Sequence, residues 1–555
     1  MQNDVGHCTD DGTLRRCEGL AIVLTLGLRF CDRTMKNIIW RQTLGDVLRR
    51  SAARTPDKLA LQCGSVSWSY AEFDRLCNRL AWGLRGIGIG PGDRIAILAR
   101  NSHAFPAVRF ALARLGAVLV PINFMLVDTE VAYILRHAEA TVLCTDPEHA
   151  AVGRRAAALD TSVAQFVLLP DEDNARVHHD GPTFQDLLTA CDSPPESDAQ
   201  GDSLAQIIYT SGTESRPKGA MLSHQAVMWQ YTSCLADAEI AHGDLFLHAF
   251  PMYHCAQLDA FLGPCLYAGA SNVITSKPTP DNLLKLLEEY EITSFFAPPT
   301  IWIALLRSTA FATRDLSRLR KGYYGASSMP VEVLREIRER LPQMRLWNLY
   351  GQTEIAPVAT VLRPEDSIRK AGSAGRAVLN VETRVVDEAG EDVAPGEIGE
   401  VVHRSPQLMS GYFKDEERTR EAFRHGWFHS GDLARIDAEG YITIVDRKKD
   451  MINSGGENVA SREVEEIIYA LPAVAEVAVI GVPHARWIEA VVAVVVVKRE
   501  HLLAEEAVVA HCRSYMAHFK VPKRVILTES LPKNPSGKIL KRELRERFAA
   551  VLQEQ

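Results

Sequence analysis

The stretch from residue 318 to 354 leaves few folds open to this chain. Lys321–Tyr324 is a short apolar run that stops at Gly325-Ala326-Ser327-Ser328. Pro330 suits the first turn of a helix whose apolar spacing runs to Leu341, and Arg345–Tyr350 is a second strand ending at Gly351. A strand–helix–strand unit closes as a right-handed crossover, so the two strands are parallel and both carboxyl ends reach one edge. The loops 325–328 and 351–353 then lie side by side, where ligands of open α/β sheets bind. The same alternation recurs upstream: helical spacing at Leu76–Ile87, a strand at Arg94–Leu98, a helix at Phe105–Leu115 and a strand at Ala117–Val120. The predicted fold class is α/β with parallel-rich sheets.

At 555 residues the chain should hold more than one domain. A boundary is expected near residue 447, at the charged run Asp446-Arg447-Lys448-Lys449-Asp450. Beyond it, Ser461 is read as the cap of a helix to Leu471, with strands at Val474–Gly481, Ala490–Val497 and Arg524–Leu527 and a helix at Glu505–Met516. That is a small α+β domain, 448–555, after a large one, 35–447, whose later part holds short strands such as Glu382–Val386 and Gly399–His403. Ser193–Asp202 is expected to be a loose polar insertion. Residues 1–34 are expected to be a poorly ordered extension, or the product of a start codon placed too early. Their apolar stretch Leu20–Leu28 is too short to span a bilayer, and no convincing cleavage site follows it.

The net charge of −8 argues against a mainly electrostatic grip on nucleic acid. Eleven scattered cysteines without a Cys-x-x-Cys pair point to reduced thiols and a cytoplasmic setting, not to a disulfide framework or a zinc site.

Chemistry is most concentrated at Tyr209–Gly219. The apolar strand Leu204–Tyr209 stops at hydroxyls, two glycines and the cations Arg216 and Lys218, a composition that suits a phosphate. It is not the common phosphate loop: Pro217 stands where that pattern needs its second glycine, and Gly219 follows the lysine. Gly537-Lys538 fails too, with Ile539 after it and Pro532 where the first glycine belongs. Four more segments stand out: Tyr350-Gly351-Gln352-Thr353-Glu354; Gly426 to Asp432; Asp446 to Asp450 followed by Ser454-Gly455-Gly456-Glu457-Asn458; and Pro532 to Lys538.

In this order and spacing the five segments resemble the adenylate-forming enzymes, most closely the acyl-CoA synthetases, over about residues 40–548. The resemblance implies a large domain of parallel-rich α/β subdomains plus a distorted β-barrel, with a small mobile α+β domain. It implies that a carboxylic acid attacks the α-phosphate of ATP, giving an acyl-adenylate and pyrophosphate, and that coenzyme A then takes the acyl group. By matched position, Thr210, Ser211, Gly212, Thr213 and Lys218 would hold the β- and γ-phosphates, and Thr353 the α-phosphate. Glu354, with Thr213, would bind Mg²⁺. Gly325, Ala326, Ser327, Tyr350, Gly351 and Gln352 would form the adenine slot, and Asp432 and Arg447 would meet the ribose. Lys538 would bridge carboxylate and α-phosphate. Lys449 matches the hinge about which the small domain swings, after which Gly455, Gly456 and Glu457 approach the pantetheine arm. His254, in Pro251-Met252-Tyr253-His254, would border the acid.

One departure is Glu214-Ser215, where the family has Thr-Gly; an acidic side chain beside a triphosphate is unfavourable unless it points away or meets a metal. Cys255 to Asp259, Trp302 and the 324–326 loop are expected to shape the acyl pocket. The run Tyr253 to Ala256 holds no carboxylate for a substrate amine, which argues against amino acids. A medium- or long-chain fatty acid is favoured, ahead of an aryl or sterol side-chain acid. A carrier protein is the other conceivable acceptor. The sequence leaves room for weak peripheral membrane association and for a homodimer.

Overall fold

The computed structural model describes residues 41–173, 181–210, 217–327, 329–448, 450–454, 457–484, 486–499, 501–534, 537–549 and 551. The expectation for residues 1–34 lies outside these. The unit at 318–354 forms as read. Lys321–Gly325 and Arg345–Gly351 are parallel, with Gly325 opposite Leu349, and helix Val331–Arg340 crosses between them. Pro330 stands at the N-cap with extended ψ, one residue outside the first turn.

Among the described residues these strands belong to a nine-stranded sheet. Its order is 376–377, 358–362, 345–351, 321–325, 294–296, 245–248, 271–274, 59–63 and 66–69. Every pairing from Arg345–Gly351 to Leu59–Cys63 is parallel. A second sheet of seven runs 411–412, 218–223, 204–210, 118–121, 94–98, 142–145 and 165–168. Helices Tyr70–Gly86 and Ala104–Leu115 fill the space between the sheets, where Phe73, Leu80 and Phe110 pack with Leu61 of one sheet and Ile97 of the other. Leu204–Thr210 turns back on Lys218–Ser223 as an antiparallel hairpin with Thr210 opposite Lys218, so the phosphate-type loop is its tip. Residues 211–216 of that tip, including Glu214 and Ser215, lie outside the described residues.

The short strands 382–386, 398–404, 428–436 and 442–447 form an antiparallel sheet, tied at a Gly375–Ile442 bridge to the edge of the first sheet. Ser193–Asp202 is not loose. Around it Asn78 donates to the Asp192 carbonyl, Trp82 Nε1 to Ser193, Arg85 to Glu196 and Arg41 to Ser197, at 2.6–3.0 Å. Its backbone acceptors give it an anchorage that composition does not reveal.

In the C-terminal module Ile488–Val497 pairs with Val474–His484 on one side and Arg524–Thr528 on the other. Its apolar run is nearly unbroken because both faces are covered. Val464 and Cys512 pack with Val491 and Val495, while Leu544 packs with Val492 and Val494. Ser461 does not cap its helix, which spans Ser461–Tyr469 after an Ala460 N-cap. Its N–H and hydroxyl both donate, at 2.7 Å, to Asp446 Oδ2, a carboxylate reaching across the 447 boundary. Among the described residues no helix is long and apolar enough to cross a membrane.

Where the two sheets meet, Arg109 of helix 104–115 pairs with Asp259, both almost fully buried. Asp259 also accepts from Gln206 Nε2 at 2.7 Å, and Arg109 donates to the Tyr231 hydroxyl at 2.9 Å. Asp259 lies on a π-helix, Ala256–Leu262, whose following residue Gly263 has Tyr231 so close that a Cβ would fall 2.1 Å from its ring. Asp259→Ala leaves Arg109 charged among apolar neighbours. It is expected to cost about 3–5 kcal/mol in the urea transition of the large domain, followed by tryptophan fluorescence. A loss below about 1 kcal/mol would show that the pair contributes no more than a surface bridge.

Candidate active site

A cavity of about 650 Å³ opens at the carboxyl edge of the nine-stranded sheet, between the antiparallel sheet and the C-terminal module. Thr210, Lys218, His254, Gly325, Ala326, Tyr350, Gly351, Gln352, Thr353, Glu354, Asp432, Arg447 and Lys538 all line it. Ser327 is exposed and outside the wall, and Glu457 is exposed in strand Glu457–Val459 away from it. Ser211, Gly212, Thr213, Lys449, Gly455 and Gly456 lie outside the described residues.

Local structure explains the convergence. Asp432 and Arg447 are directly opposite in antiparallel strands, which brings Arg447 Nε to 3.4 Å from Asp432 Oδ1. The Tyr350 hydroxyl donates to Asp432 Oδ2 at 2.7 Å; burial first, and then the charge of Asp432, hold that phenol well above its usual pKa, so it remains a donor. Gly351 lies so near the Pro357 carbonyl oxygen that a Cβ would fall 2.0 Å from it, so the strand end accepts no side chain. Past it, Thr353 Oγ1 is 3.3 Å from Cys255 Sγ, a thiol that burial pushes up to about 12.

His254 Nδ1 accepts from the Ala256 N–H at 3.1 Å, so in the neutral ring the proton sits on Nε2. Burial, with the charge of Lys538 added, brings its pKa down to about 4. The ring at the cavity is thus a neutral donor. Of the residues expected to shape an acyl pocket, Cys255, Ala256, Gly325 and Ala326 reach the wall. The others do not. Trp302 is in the core, with Nε1 donating to the Tyr323 carbonyl; Gln257 accepts from the Phe250 N–H; Leu258 packs in the inter-sheet core; Asp259 holds Arg109. The π-helix turns that side of the segment inward, away from the cavity.

The sequence profile described as AMP-binding enzyme matches residues 48–413, and that described as AMP-binding enzyme C-terminal domain matches 463–538. The chain belongs to the AMP-binding enzyme family. It is similar to a feruloyl-CoA synthase of Amycolatopsis sp., 38 % identical over 507 residues that cover 91 % of this chain and 99 % of the relative. It is also similar to a long-chain-fatty-acid–CoA ligase of Mycobacterium tuberculosis, 35 % identical over 520 residues, 93 % and 100 % of the two chains. Among solved structures, the anthranilate CoA ligase AuaEII in complex with anthranoyl-AMP superimposes with a TM-score of 0.84 at 26 % identity, covering 92 % of this chain and 98 % of that one. This AMP-binding enzyme is an AMP-forming acid–thiol ligase of the acyl-CoA synthetase kind.

Several wall residues of the enzyme escape sequence reasoning. The Tyr412 hydroxyl donates to Glu354 Oε1 at 2.9 Å while its ring faces Lys218 Nζ at 5.0 Å. Glu400, almost fully buried, accepts from the Gly431 N–H at 3.2 Å and from Arg424 at 2.8 Å. Both lie outside the five segments that stand out in the sequence, so only the fold brings them in. Phe261 and Phe296, also on the wall, stack at 4.4 Å between centroids.

Burial pushes His103, His224, His248 and His254 down to about 4 and His403 to about 3. Below the ordinary histidine pKa near 6.5 the unfolded chain takes up protons that these folded rings refuse. Stability is therefore expected to fall as pH drops from about 6.5 through about 4, with the histidine share of the loss complete only below about 3, where His403 titrates. Urea midpoints measured from pH 7.5 to 4.5 check this. A midpoint that stays level down to pH 5 would contradict it.

Proposed function

We propose that the enzyme activates a compact aromatic carboxylic acid with ATP and transfers the acyl group to coenzyme A through an acyl-adenylate. The observation that carries the choice of acid is the floor of the cavity. Ala256, Ala260, Leu349 and Val358 give it apolar sides, and the Phe261–Phe296 stack closes it. Behind that stack lie Phe246, Tyr323 and Trp347, in successive ring contacts of 5.1–5.8 Å and fully buried. A flat ring fits against such a floor, whereas a long alkyl chain needs the stack parted. This proposal places an aryl acid ahead of the fatty acid that the sequence favoured.

Roles follow from place and chemistry. Asp432 and Arg447 suit a ribose, and Tyr350, Gly325, Ala326 and Gln352 an adenine; Ser327 would act only from the rim. Thr210 and Lys218, with Ser211, Gly212 and Thr213 of the hairpin tip, suit the β- and γ-phosphates, and Thr353 the α-phosphate. Among the described residues no three metal-ligating side chains cluster. Glu354, oriented by Tyr412, gives Mg²⁺ a hard carboxylate, and phosphate oxygens and water would complete the shell, which fits the ion's habit. When bound, the ion neutralises phosphate charge. His254 can donate from Nε2 to the acid. Lys538 brings a cation to where carboxylate and α-phosphate meet, lowering the cost of their approach. Lys449 is the proposed hinge, and Gly455, Gly456 and Glu457 the proposed approach to the pantetheine arm.

Pyrophosphate release measured over cinnamic, benzoic and C6–C16 aliphatic acids tests the substrate class. Aryl acids should give the highest kcat/KM, and Phe261→Ala should move preference toward longer chains by about 10–100-fold. A wild type that prefers C12–C16 acids would sink the reading.

The half-reactions test the two steps. Lys538→Ala should lower adenylation by about 10²–10³-fold while sparing thioester formation from supplied acyl-adenylate. Lys449→Pro should do the reverse. Equal loss of both steps in both folded variants would refute the domain swing.

A further inference from the structure

We propose that Gly537 is the residue that allows the Lys538 loop to seat against the large domain, and that Thr300 is the surface it seats on. This inference rests on the two-step reading above, in which Lys538 acts in the first step.

The described residues of the loop are tied to one another. Asn534 N–H donates to the Lys538 carbonyl, Lys538 N–H donates to Asn534 Oδ1, and Gly537 N–H donates to the Asn534 carbonyl, each at 2.9 Å. Lys533 and Ile539 form a bridge at its base. Gly537 has φ +73°, the left-handed region that glycine enters without strain. A Cβ on Gly537 would lie 2.3 Å from Thr300 Oγ1 and 3.5 Å from both Thr300 Cβ and Pro298 Cγ. Only the hydroxyl is in the way; the other two distances are ordinary contacts.

Thr300 is poorly able to yield. It lies in the first turn of helix Pro299–Arg307, and β-branching leaves its χ1 stiff. Its Oγ1 is buried and makes no hydrogen bond among the described residues, so no favourable bond to Gly537 holds the loop. The contact is pure shape. With a methyl group at 537 the loop has to stand off from helix 299–307, and Lys538, the next residue, withdraws from the cavity it now lines. A displacement near 1 Å at a reacting group is enough to cost about 100-fold in rate. Once the loop has left the large domain, residue 537 no longer meets Thr300, and the second step is indifferent to the methyl.

The test compares Gly537→Ala, Gly537→Ala/Thr300→Ala and Gly537→Ala/Thr300→Ser in two assays. One is acid-dependent ATP–pyrophosphate exchange; the other is thioester formation from supplied acyl-adenylate and coenzyme A. Gly537→Ala is expected to lose about 100-fold in exchange and nothing in thioester formation. Thr300→Ala removes the obstructing oxygen and should restore exchange about tenfold, the strain of a left-handed alanine at position 537 keeping the remainder lost. Thr300→Ser keeps the oxygen but frees χ1, and should restore less than Thr300→Ala. Equal loss in both assays, no loss in exchange, or equal rescue by Ser and Ala would each overturn the proposal. A wild type without exchange activity on any acid would overturn the two-step reading itself, and the proposal with it.

Discussion

The buried pair of Arg109 and Asp259 joins four elements of this molecule. Arg109 belongs to a helix packed between the two large sheets, Gln206 to a strand of the second sheet, Tyr231 to helix His224–Asp237, and Asp259 to the π-helix at the cavity wall. Burying two charges brings little net stability, because lost hydration offsets most of the attraction. What the pair provides is uniqueness. A carboxylate that must meet a guanidinium fixes which way the π-helix faces, and that orientation turns Ala256, Ala260 and Phe261 toward the cavity. The i to i+5 turn is otherwise an unfavourable geometry and is found mostly at functional sites. Tyr231 pressed against Gly263 fixes the end of the same segment. The shape of this part of the cavity wall is thus set by a charge pair that does not itself line it.

Electrostatics at the cavity follow a related economy. Lys538 and His254 are close enough for the lysine to depress the histidine, and burial acts in the same direction. One group stays charged and the other neutral, so the wall offers a cation and a hydrogen-bond donor without mutual repulsion. The Ala256 N–H decides which nitrogen does the donating. Asp432, shared by Tyr350 and Arg447, is likewise held ready as an acceptor by partners that are fixed in place by the sheet.

Much of the framework was legible in the sequence, for a local reason. Lys321–Gly325, Val331–Arg340 and Arg345–Gly351 are each written by their own residues, and chirality leaves one way to join them. The residues carried by glycine-rich strand ends, from Thr353 and Glu354 to Asp432, were legible for the same reason. What was hidden depended on distant partners. Ser461 looks like a cap, but Asp446 claims its hydroxyl. Tyr412 and Glu400 carry no local signature of the cavity. Asp259 sits in a stretch that an ordinary helical period would turn toward a ligand, and the π-turn takes it the other way, while Trp302 of helix Pro299–Arg307 is held in the core by the Tyr323 carbonyl. Phe296 ends a three-residue strand, Ser294–Phe296, and meets Phe261 only through the sheet order.

The Asp446–Ser461 contact has a kinetic meaning. Its two charge-assisted bonds reach from one side of the 447 boundary to the other, and such bonds contribute about 1.5–3 kcal/mol each. The proposed swing of the small module would release both, after which water would hydrate the carboxylate. In the proposed swing the contact would work as a detent: deep enough to give the molecule a dwell time in one orientation, shallow enough that thermal motion can lift it out.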